Sequence, residues 1–307
     1  MRQPSKHDDQ GSLADRILRS HDGLTPAERR VGQAILASYP GSGLRSASAI
    51  AEASATSPAT VVRFVAKLGF NGMPDFQAGL RDEIDHRLRS PFELGVPARG
   101  ADGGLLGDIL ESQLRIVSET LGRLKPEGLA NVARLLLESQ RVWITGGRFS
   151  QSIAHYLYAH LQMLRPDVRL LGPWPAPIAD QLAYSGRRDC LVVFDFRRYQ
   201  GDAAFAAEFV KGRRGRVVVV TDPYLSPASQ SADHTLIASV EGAALADSYA
   251  GAVALVDAIV SHVLLAEEEE MAKRIAVVEE ARAEMTRAAA EEYAVQPSAG
   301  GAPKPLT

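Results

Sequence analysis

The chain has 307 residues, which is enough for two domains, and 46% of them are hydrophobic, as in ordinary globular proteins. Its net charge of −3 does not indicate a nucleic-acid partner, and its single cysteine, Cys190, excludes a disulfide framework. The N-terminus lacks the apolar core of a signal peptide, and no apolar run approaches the roughly 18 residues of a membrane span. These features predict a cytoplasmic protein with no membrane partner.

The first part of the chain, residues 12–88, is predicted to be an all-α domain. Its helical segments are short and are separated by the Gly- and Pro-containing turns SYPGSG and GFNGMP. The Gly/Pro-rich stretch over 89–104 is typical of a linker. Helical periodicity resumes at Leu105 and again over 128–138.

From residue 141 onward, short β-rich runs alternate with helices. The predicted strands are 142–145, 168–171, 191–196, 217–221 and 235–238. The predicted helices among them are 150–164, 178–184, 202–212 and 243–265. Apolar strands that alternate with helices indicate an α/β domain, over 105–265, with a five-stranded parallel sheet covered by helices. Residues 266–307 are expected to form a charged helix followed by a disordered tail.

The most specific stretch lies in the all-α domain, AIAEASATSPATVVRFVAKLGF over 49–70. A short helix and a tight turn precede a second helix, for which Ser57 is the predicted N-cap and Pro58 the first residue. Apolar residues then recur at i, i+3, i+4 and i+7, which predicts the buried face: Val61, Phe64, Val65 and Leu68. This arrangement predicts a helix-turn-helix. An ordinary helical hairpin used for protein contact is the alternative.

The other face of the second helix carries small polar and basic residues, which suits the major groove of DNA. Thr60 and Arg63 are expected to reach base edges, whereas Lys67 and the helix start are expected to hold phosphates. The predicted DNA-binding residues are Ser57, Pro58, Ala59, Thr60, Arg63 and Lys67. Ala55 stands in the turn where glycine is usual, and a left-handed Ala55 would cost about 1 kcal/mol.

In the α/β domain, the run VWITGG ends in Gly146 and Gly147, and a helix opens near Ser150. Backbone N–H groups at a helix start form an anion site, and glycine allows a ligand to approach the backbone closely. Ser150 and Ser152 could add hydroxyl donors. The same pattern also fits a plain strand-to-helix turn.

Around these motifs the sequence resembles the RpiR-type bacterial transcriptional regulators. The resemblance rests on LTPAERRVGQAIL at 24–36, on SASAIAEASATSPATVVRFVAKLGFNGMPDFQAGLRDEI at 46–84, and on the α/β domain that follows. It implies a helix-turn-helix domain joined to a sugar isomerase (SIS) domain, which in this family senses phosphosugars or related metabolites and usually mediates dimerisation.

The resemblance also identifies two expected ligand loops, and this sequence departs from the family in both. In the G-x-G-x-S loop, Arg148 replaces the second glycine. In the S-x-S-G-x-T loop, DFRRYQ places Asp195, Arg197 and Gln200 where the two serines and the threonine are usual. Since arginine binds phosphate or carboxylate through two parallel hydrogen bonds, an anion site rebuilt around arginines is expected. The expected ligand-binding residues are Gly146, Gly147, Arg148, Ser150, Ser152, Asp195, Arg197, Arg198 and Thr221. The alternative is a vestigial pocket whose arginines serve a dimer interface or a solvated loop.

Taken as a whole, the resemblance implies a transcriptional regulator with three kinds of partner: a pseudo-palindromic double-stranded DNA operator, a small anionic phosphosugar-like metabolite, and further copies of the chain in a homodimer or tetramer. A sugar-phosphate isomerase fused to a DNA-binding module is one alternative, and a SIS dimerisation scaffold without a ligand is another. Isomerisation needs a positioned general base, and none of the histidines is suitably placed along the sequence. No catalytic residue, cofactor or metal site is therefore expected.

Overall fold

The computed structural model describes residues 12–20, 23–37, 39–88, 104–172, 176–242 and 247–295. Almost all of the predicted linker, 89–104, and the predicted disordered tail from residue 296 lie outside the described residues.

The N-terminal domain is a bundle of five helices. They are α1 (Leu13–Ser20), α2 (Pro26–Leu36), α3 (Ala47–Ala53), α4 (Pro58–Lys67) and α5 (Met73–Leu88). Their apolar faces meet in one core that includes Val31, Ile35, Phe64, Phe76 and Leu80, all fully buried. The predicted all-α domain is confirmed.

Side-chain caps set the starts of several of these helices, because the first backbone N–H groups of a helix have no partner within it. Thr25 caps α2 in a capping box with Glu28, and the Ser46 hydroxyl accepts from the backbone N–H of Ala49 at the start of α3. The Ser57 hydroxyl accepts from the Thr60 N–H at 3.3 Å, as predicted, and Pro58 begins α4.

The C-terminal domain is the predicted α/β domain. Its helices are α6 (Gly104–Gly122), α7 (Pro126–Glu138), α8 (Gln151–Leu164), α9 (Ala176–Leu182), α10 (Gly201–Gly212), α11 (Ala250–Ala266) and α12 (Glu268–Val295). Its strands are β1 (Arg141–Gly146), β2 (Val168–Leu170), β3 (Asp189–Phe194), β4 (Arg216–Thr221) and β5 (His234–Ile237).

All five strands are parallel, in the order β2-β1-β3-β4-β5. All six residues of β3, the central strand, are buried, because helices cover both faces of the sheet. One face packs on α7, α8 and α11, and the other packs on α9 and α10. The chain leaves β1 in one direction to form β2 and returns to form β3 on the other side of β1. The carboxyl ends of β1 and β3 therefore flank the position where such folds bind ligands.

Helix α11 packs its apolar residues into the core of the α/β domain. Helix α11 begins at Ala250 rather than at the predicted residue 243, and residues 243–246 lie outside the described part. Its residues Leu255, Val256, Ile259 and Val263 are buried inside the domain. Within the described residues no single helix is long and apolar enough to cross a membrane; α11 and most of α12 pass such a test only as a pair bent by 108°.

Candidate DNA-binding and ligand-binding sites

Helix α4 has the buried face that the sequence predicts. Val61, Phe64 and Val65 are fully buried, and Leu68 follows them into the core of the bundle. These four residues fix the rotation of α4 and therefore determine which of its side chains face solvent.

The turn between α3 and α4 is tight and is held from α2. Ala55 lies in the left-handed region with a φ of 48°, as expected for a residue in the place where glycine is usual. The Arg30 guanidinium donates to the carbonyl oxygens of Ser54 at 3.3 Å and Ala55 at 3.4 Å. These bonds satisfy two carbonyls of the turn and hold α3 and α4 at a fixed angle.

The solvent face of α4 carries Pro58, Ala59 and Arg63 together with the N-cap Ser57. Thr60 is not part of this face, since it is only 6% exposed and its hydroxyl accepts from an Arg63 Nη2 3.2 Å away. The expected contact of Thr60 with a base edge stays a prediction. In this structure Thr60 orients Arg63, because both lie on one side of the helix at i and i+3.

Lys67 is exposed but is already engaged in an ion pair. Its Nζ donates to Glu28 Oε2 at 2.7 Å, and this hydrogen bond is the main reason that the pKa of the Glu28 carboxyl falls to about 2. Glu28 is the capping-box residue of α2, so Lys67 joins α4 to the start of α2. A phosphate contact by Lys67 would have to compete with this pair.

Val62 is a candidate DNA-facing residue that the sequence did not suggest. It is 45% exposed on α4, next to Arg63. An exposed aliphatic side chain on a recognition helix suits contact with the methyl group of thymine. The sequence does contain a sign of this exposure, because Val62 is an apolar residue outside the i, i+3, i+4, i+7 series that places its apolar neighbours in the core.

In the α/β domain, Gly146 has a structural role at the end of β1. A Cβ atom on Gly146 would lie 2.6 Å from the backbone carbon and oxygen of Ser150, so the turn into α8 requires glycine there. The Ser150 hydroxyl is buried and fully used, because it donates to the Phe194 carbonyl at 2.7 Å and accepts from the Gly147 N–H at 2.8 Å. Ser150 thus links β1 to β3, and the expected contact of its hydroxyl with a ligand, which would have to compete with these bonds, stays a prediction.

Two other expected ligand residues lie at the mouth of this turn. The Ser152 hydroxyl is exposed and donates to the Phe149 carbonyl at 2.7 Å. Arg148 is exposed, and its guanidinium lies 5.1 Å from the centre of the Phe149 ring. Arg148 therefore places a positive charge where a ligand could reach it.

Asp195 follows β3 and is only 1% exposed. Its carboxylate accepts from the Ser226 hydroxyl and from the Gln200 N–H at 3.3 Å. Burial raises the pKa of Asp195 to about 7, and the two hydrogen bonds lower it only in part. Near neutral pH this carboxyl is therefore present in both its protonated and its ionised form.

Arg197 is engaged in ion pairs within the domain. Its Nε lies 2.9 Å from both carboxylate oxygens of Asp247, its Nη2 also donates to Asp247, and Glu241 lies 3.5 Å from its Nη1. Burial lowers the pKa of Arg197, but the bonds and charges of these two acids outweigh burial and raise it overall. The residue joins the loop after β3 to the segment before α11, and the expected anion clamp at Arg197, which would compete with Asp247, stays a prediction.

Arg198 has the opposite environment. It lies in the left-handed region with a φ of 63°, and its side chain is exposed. The backbone reversal at Arg198 turns its side chain away from that of Arg197, so one arginine is buried in an ion pair and the next faces solvent.

Thr221, at the end of β4, is fully buried and its hydroxyl accepts from the Ser226 N–H at 3.0 Å. The hydroxyl closes the turn after β4, and the expected contact between Thr221 and a ligand stays a prediction. The neighbouring carboxylate of Asp222 accepts from the Arg197 N–H and, at 2.6 Å, from the Tyr199 hydroxyl. Within the described residues, no group of His, Cys, Asp or Glu is arranged to hold a metal ion.

The raised pKa of Asp195 generates a prediction about stability. In the unfolded chain this carboxyl loses its proton near pH 4, and in the folded domain near pH 7. Folding therefore takes up a proton in this window, so the free energy of unfolding falls as pH rises from 4 to 7, by up to about 4 kcal/mol. Asp195→Asn removes this dependence and is expected to be more stable relative to wild type at pH 8 than at pH 4. Urea unfolding at the two pH values measures it, and an equal difference at both would contradict the buried-carboxyl interpretation.

Comparison with known proteins identifies both parts of the chain. Residues 11–87 match the helix-turn-helix domain of the rpiR family, and residues 135–267 match the SIS domain. An HTH-type transcriptional regulator of Clostridium perfringens is 30% identical over 107 residues, which cover 34% of this chain and 38% of that protein. Another, of Haemophilus influenzae, is 23% identical over 74% of this chain and 80% of its own length. The chain thus spans well under half of the first relative and most of the second.

Two solved structures share the fold. The sugar isomerase domain of an RpiR transcription factor from Sphaerobacter thermophilus has a TM-score of 0.55 at 22% identity, covering 57% of this chain and 98% of that one. The Vibrio vulnificus NanR protein, complexed with ManNAc-6P, has a TM-score of 0.54 at 20% identity, covering 89% of this chain and 99% of its own. Because an rpiR-type helix-turn-helix is followed by a SIS domain, as the residues of both domains indicate, the chain belongs to the RpiR family of HTH-type transcriptional regulators.

Proposed function

We propose that the chain is a sequence-specific DNA-binding transcriptional regulator whose SIS domain binds a small anionic carbohydrate derivative, such as a phosphosugar, and thereby modulates DNA affinity. The observation that carries the proposal is the solvent face of α4. It presents Arg63, oriented by Thr60, beside the small residue Ala59 and the exposed Val62, on a helix whose rotation is fixed by the core.

The DNA-binding residues we propose are Ser57, Pro58, Ala59, Val62 and Arg63. Arg63 reads a base edge, Val62 contacts a thymine methyl, and the N-terminus of α4 lies against a phosphate. Lys67 contributes a phosphate contact only by giving up part of its pair with Glu28. Two such domains in a homodimer read a pseudo-palindromic operator whose half-sites lie about 10 base pairs apart or a multiple of that.

For the dimer contact, we propose the exposed leucine stripe of α6. Leu106, Leu110 and Leu114 recur every four residues on one side of this helix and are 80%, 61% and 64% exposed. A contiguous patch of exposed apolar side chains on a protein surface often marks an interaction site. The apolar residues of helix α11, by contrast, pack within the domain.

For the ligand, we propose the carboxyl ends of β1 and β3 with Arg148 and Arg198 as the cations that bind it. Both arginines are exposed on loops that flank the crossover between these strands. A Cβ atom on Gly147 would lie 3.7 Å from Asp195 Oδ1, so the glycine borders the buried carboxyl. Arg197 acts as a positioning residue through its pair with Asp247. That the related NanR fold has been solved with ManNAc-6P supports a phosphosugar as the class of ligand.

Catalysis is the second candidate function, since Asp195 has a pKa near 7 and that value suits a general base. However, its carboxylate is 1% exposed and engaged by Ser226 and Gln200, so a substrate carbon could not reach it without a rearrangement of the loop. We therefore propose that the domain senses its ligand and does not isomerise it.

Removal of the Arg63 side chain tests DNA recognition. Arg63→Ala is expected to weaken binding to the operator by ten- to a hundredfold, about 1–3 kcal/mol, with little effect on unrelated DNA, because a base contact carries discrimination. Fluorescence anisotropy at fixed salt concentration, with operator DNA found by footprinting of the promoter nearest the gene, measures the effect. Arg187→Ala removes the same charge from an exposed position in the SIS domain and serves as the matched control. Equal losses in both variants, or retained discrimination in Arg63→Ala, would contradict the assignment.

The adjacent arginines are expected to respond differently to alanine substitution. Arg198→Ala should leave the unfolding free energy nearly unchanged and abolish stabilisation by ligand, whereas Arg197→Ala should cost about 3 kcal/mol without any ligand, because it leaves Asp247 unpaired. Thermal unfolding against a panel of phosphosugars measures both effects. A true ligand at a hundredfold excess over its dissociation constant should stabilise the wild type by roughly 2.7 kcal/mol.

The same samples distinguish a sensor from an enzyme when aldose-to-ketose conversion is followed by NMR. No conversion is expected for any phosphosugar that stabilises the protein. If a ligand stabilises Arg198→Ala as much as it stabilises the wild type, then binding of that ligand does not depend on Arg198.

Charged substitutions in the leucine stripe test the dimer. The double variant Leu110→Glu, Leu114→Glu is expected to halve the sedimenting mass, because it places two carboxylates per chain in an apolar contact. Sedimentation velocity measures the mass. Val277→Glu, a change at a similarly exposed aliphatic residue on α12, is the control and should leave the mass unchanged. An unchanged mass in the double variant would rule out this stripe as the interface.

A further inference from the structure

We propose that the loop after β4, residues 222–226, is a latch that docks the helix-turn-helix domain on the SIS domain and transmits the state of the ligand site to it. We call these five residues, Asp222 to Ser226, the β4 latch. The inference rests on the proposed function for what the latch regulates, but the contacts that carry it involve neither DNA nor ligand.

One side of the latch belongs to the core of the helix-turn-helix domain. Leu225 packs against the hydrophobic cluster of that domain, although it lies more than a hundred residues further along the chain. Next to it, Leu18, Leu36 and Tyr39 line a small cavity of 160 Å³ between the two domains. The Ser12 hydroxyl at the start of α1 donates to the Pro223 carbonyl, so the contact has both an apolar and a hydrogen-bonded component.

The other side of the latch belongs to the ligand site. At its first residue, Asp222 accepts from the Arg197 N–H and the Tyr199 hydroxyl of the loop after β3. At its last residue, the Ser226 hydroxyl donates to Asp195. Both ends of the latch are thus bonded to the loop that carries Arg198, whereas Leu225 between them contacts the other domain.

The backbone of the latch is short and constrained. The Leu225 N–H donates to the Asp222 carbonyl at 3.1 Å, and Leu225 has a φ of 61°, a left-handed conformation that is disfavoured for a residue with a large side chain. Such a conformation persists only where the surroundings impose it. The hydrogen bonds at both ends and the apolar contact in the middle supply these constraints, so loss of one end is expected to move the others.

A second contact between the two domains also involves helix α1. Arg123, at the end of the first SIS helix, lies 3.3 Å from the carboxylate of Asp15 in α1. Docking through α1 leaves Ala59, Val62 and Arg63 of α4 exposed. The latch therefore sets the direction in which the DNA-reading face points and does not cover it.

Hydrogen exchange on the full chain tests the latch without a ligand. Leu225→Ala should speed amide exchange in α1, residues 13–20, by at least about fivefold, because the helix loses the apolar part of its contact with the SIS domain. Asp195→Ala changes no residue of the latch but removes the acceptor of the Ser226 hydroxyl. It should speed exchange in α1 as well. Exchange in α7 and β1 should stay unchanged in both variants and reports that the SIS domain is folded.

Two matched controls accompany these variants. Asp202→Ala removes a carboxyl from the first turn of α10 that bonds within its own helix, and Leu265→Ala removes an exposed leucine from α11. Neither should alter exchange in α1. If Asp195→Ala unfolds the sheet, Ser226→Ala removes the same hydrogen bond from the latch side and takes its place.

The outcomes separate the parts of the proposal. If Leu225→Ala leaves α1 unchanged, the docking contact is refuted; if Leu225→Ala speeds exchange but Asp195→Ala and Ser226→Ala do not, the transmission is refuted. Failure of DNA recognition would appear in the Arg63→Ala binding experiment and would leave these exchange rates unaffected.

Discussion

The loops at the carboxyl ends of β3 and β4 depend on the hydrogen bonds made by the buried carboxylate of Asp222. It is fully buried at the end of β4 and accepts from the N–H of Arg197, the hydroxyl of Tyr199 and the N–H of Tyr224. A buried carboxylate without donors would cost several kcal/mol, so the loops after β3 and β4 must keep the shape that presents all three. This shape directs the Arg197 guanidinium toward Asp247 and leaves Arg198 in solvent.

The charges at this edge restrict the chemistry of a ligand. Hydroxyl-bearing residues in the loop after β3 would present neutral donors to a phosphate, but this chain has Asp195 in the first of those positions. An ionised Asp195 repels an anion, whereas the protonated form does not, and its pKa near 7 allows either form under physiological conditions. Arg197 compensates for Asp247 and not for Asp195. In the proposed site, Arg148 and Arg198 are the cations that an anion would meet, and a bound anion would favour the protonated form of Asp195 by linkage.

Local patterns predicted most of the fold, and long-range contacts explain most of what they missed. The caps at Ser57 and Pro58, the buried series of α4 and the five parallel strands follow from neighbours in sequence, so the sequence was sufficient. The pairing of Arg197 with Asp247, fifty residues away, leaves no local trace, and neither does the use of the Ser150 hydroxyl by the Phe194 carbonyl. The burial of Thr60 was missed for a subtler reason, because a polar residue at the edge of an apolar stripe can be buried once its hydroxyl finds a partner.

The same long-range contacts explain how two domains with separate cores can influence each other. An effector changes a distant equilibrium only if some element makes different contacts in the two states. The segment from Asp222 to Ser226 meets that requirement, since hydrogen bonds to the loop after β3 hold both of its ends and apolar packing on the other domain holds its middle. Five residues closed by an internal hydrogen bond cannot absorb a displacement at one end. A change in the protonation or occupancy of the strand ends therefore has a short and rigid path to the helices that present Arg63.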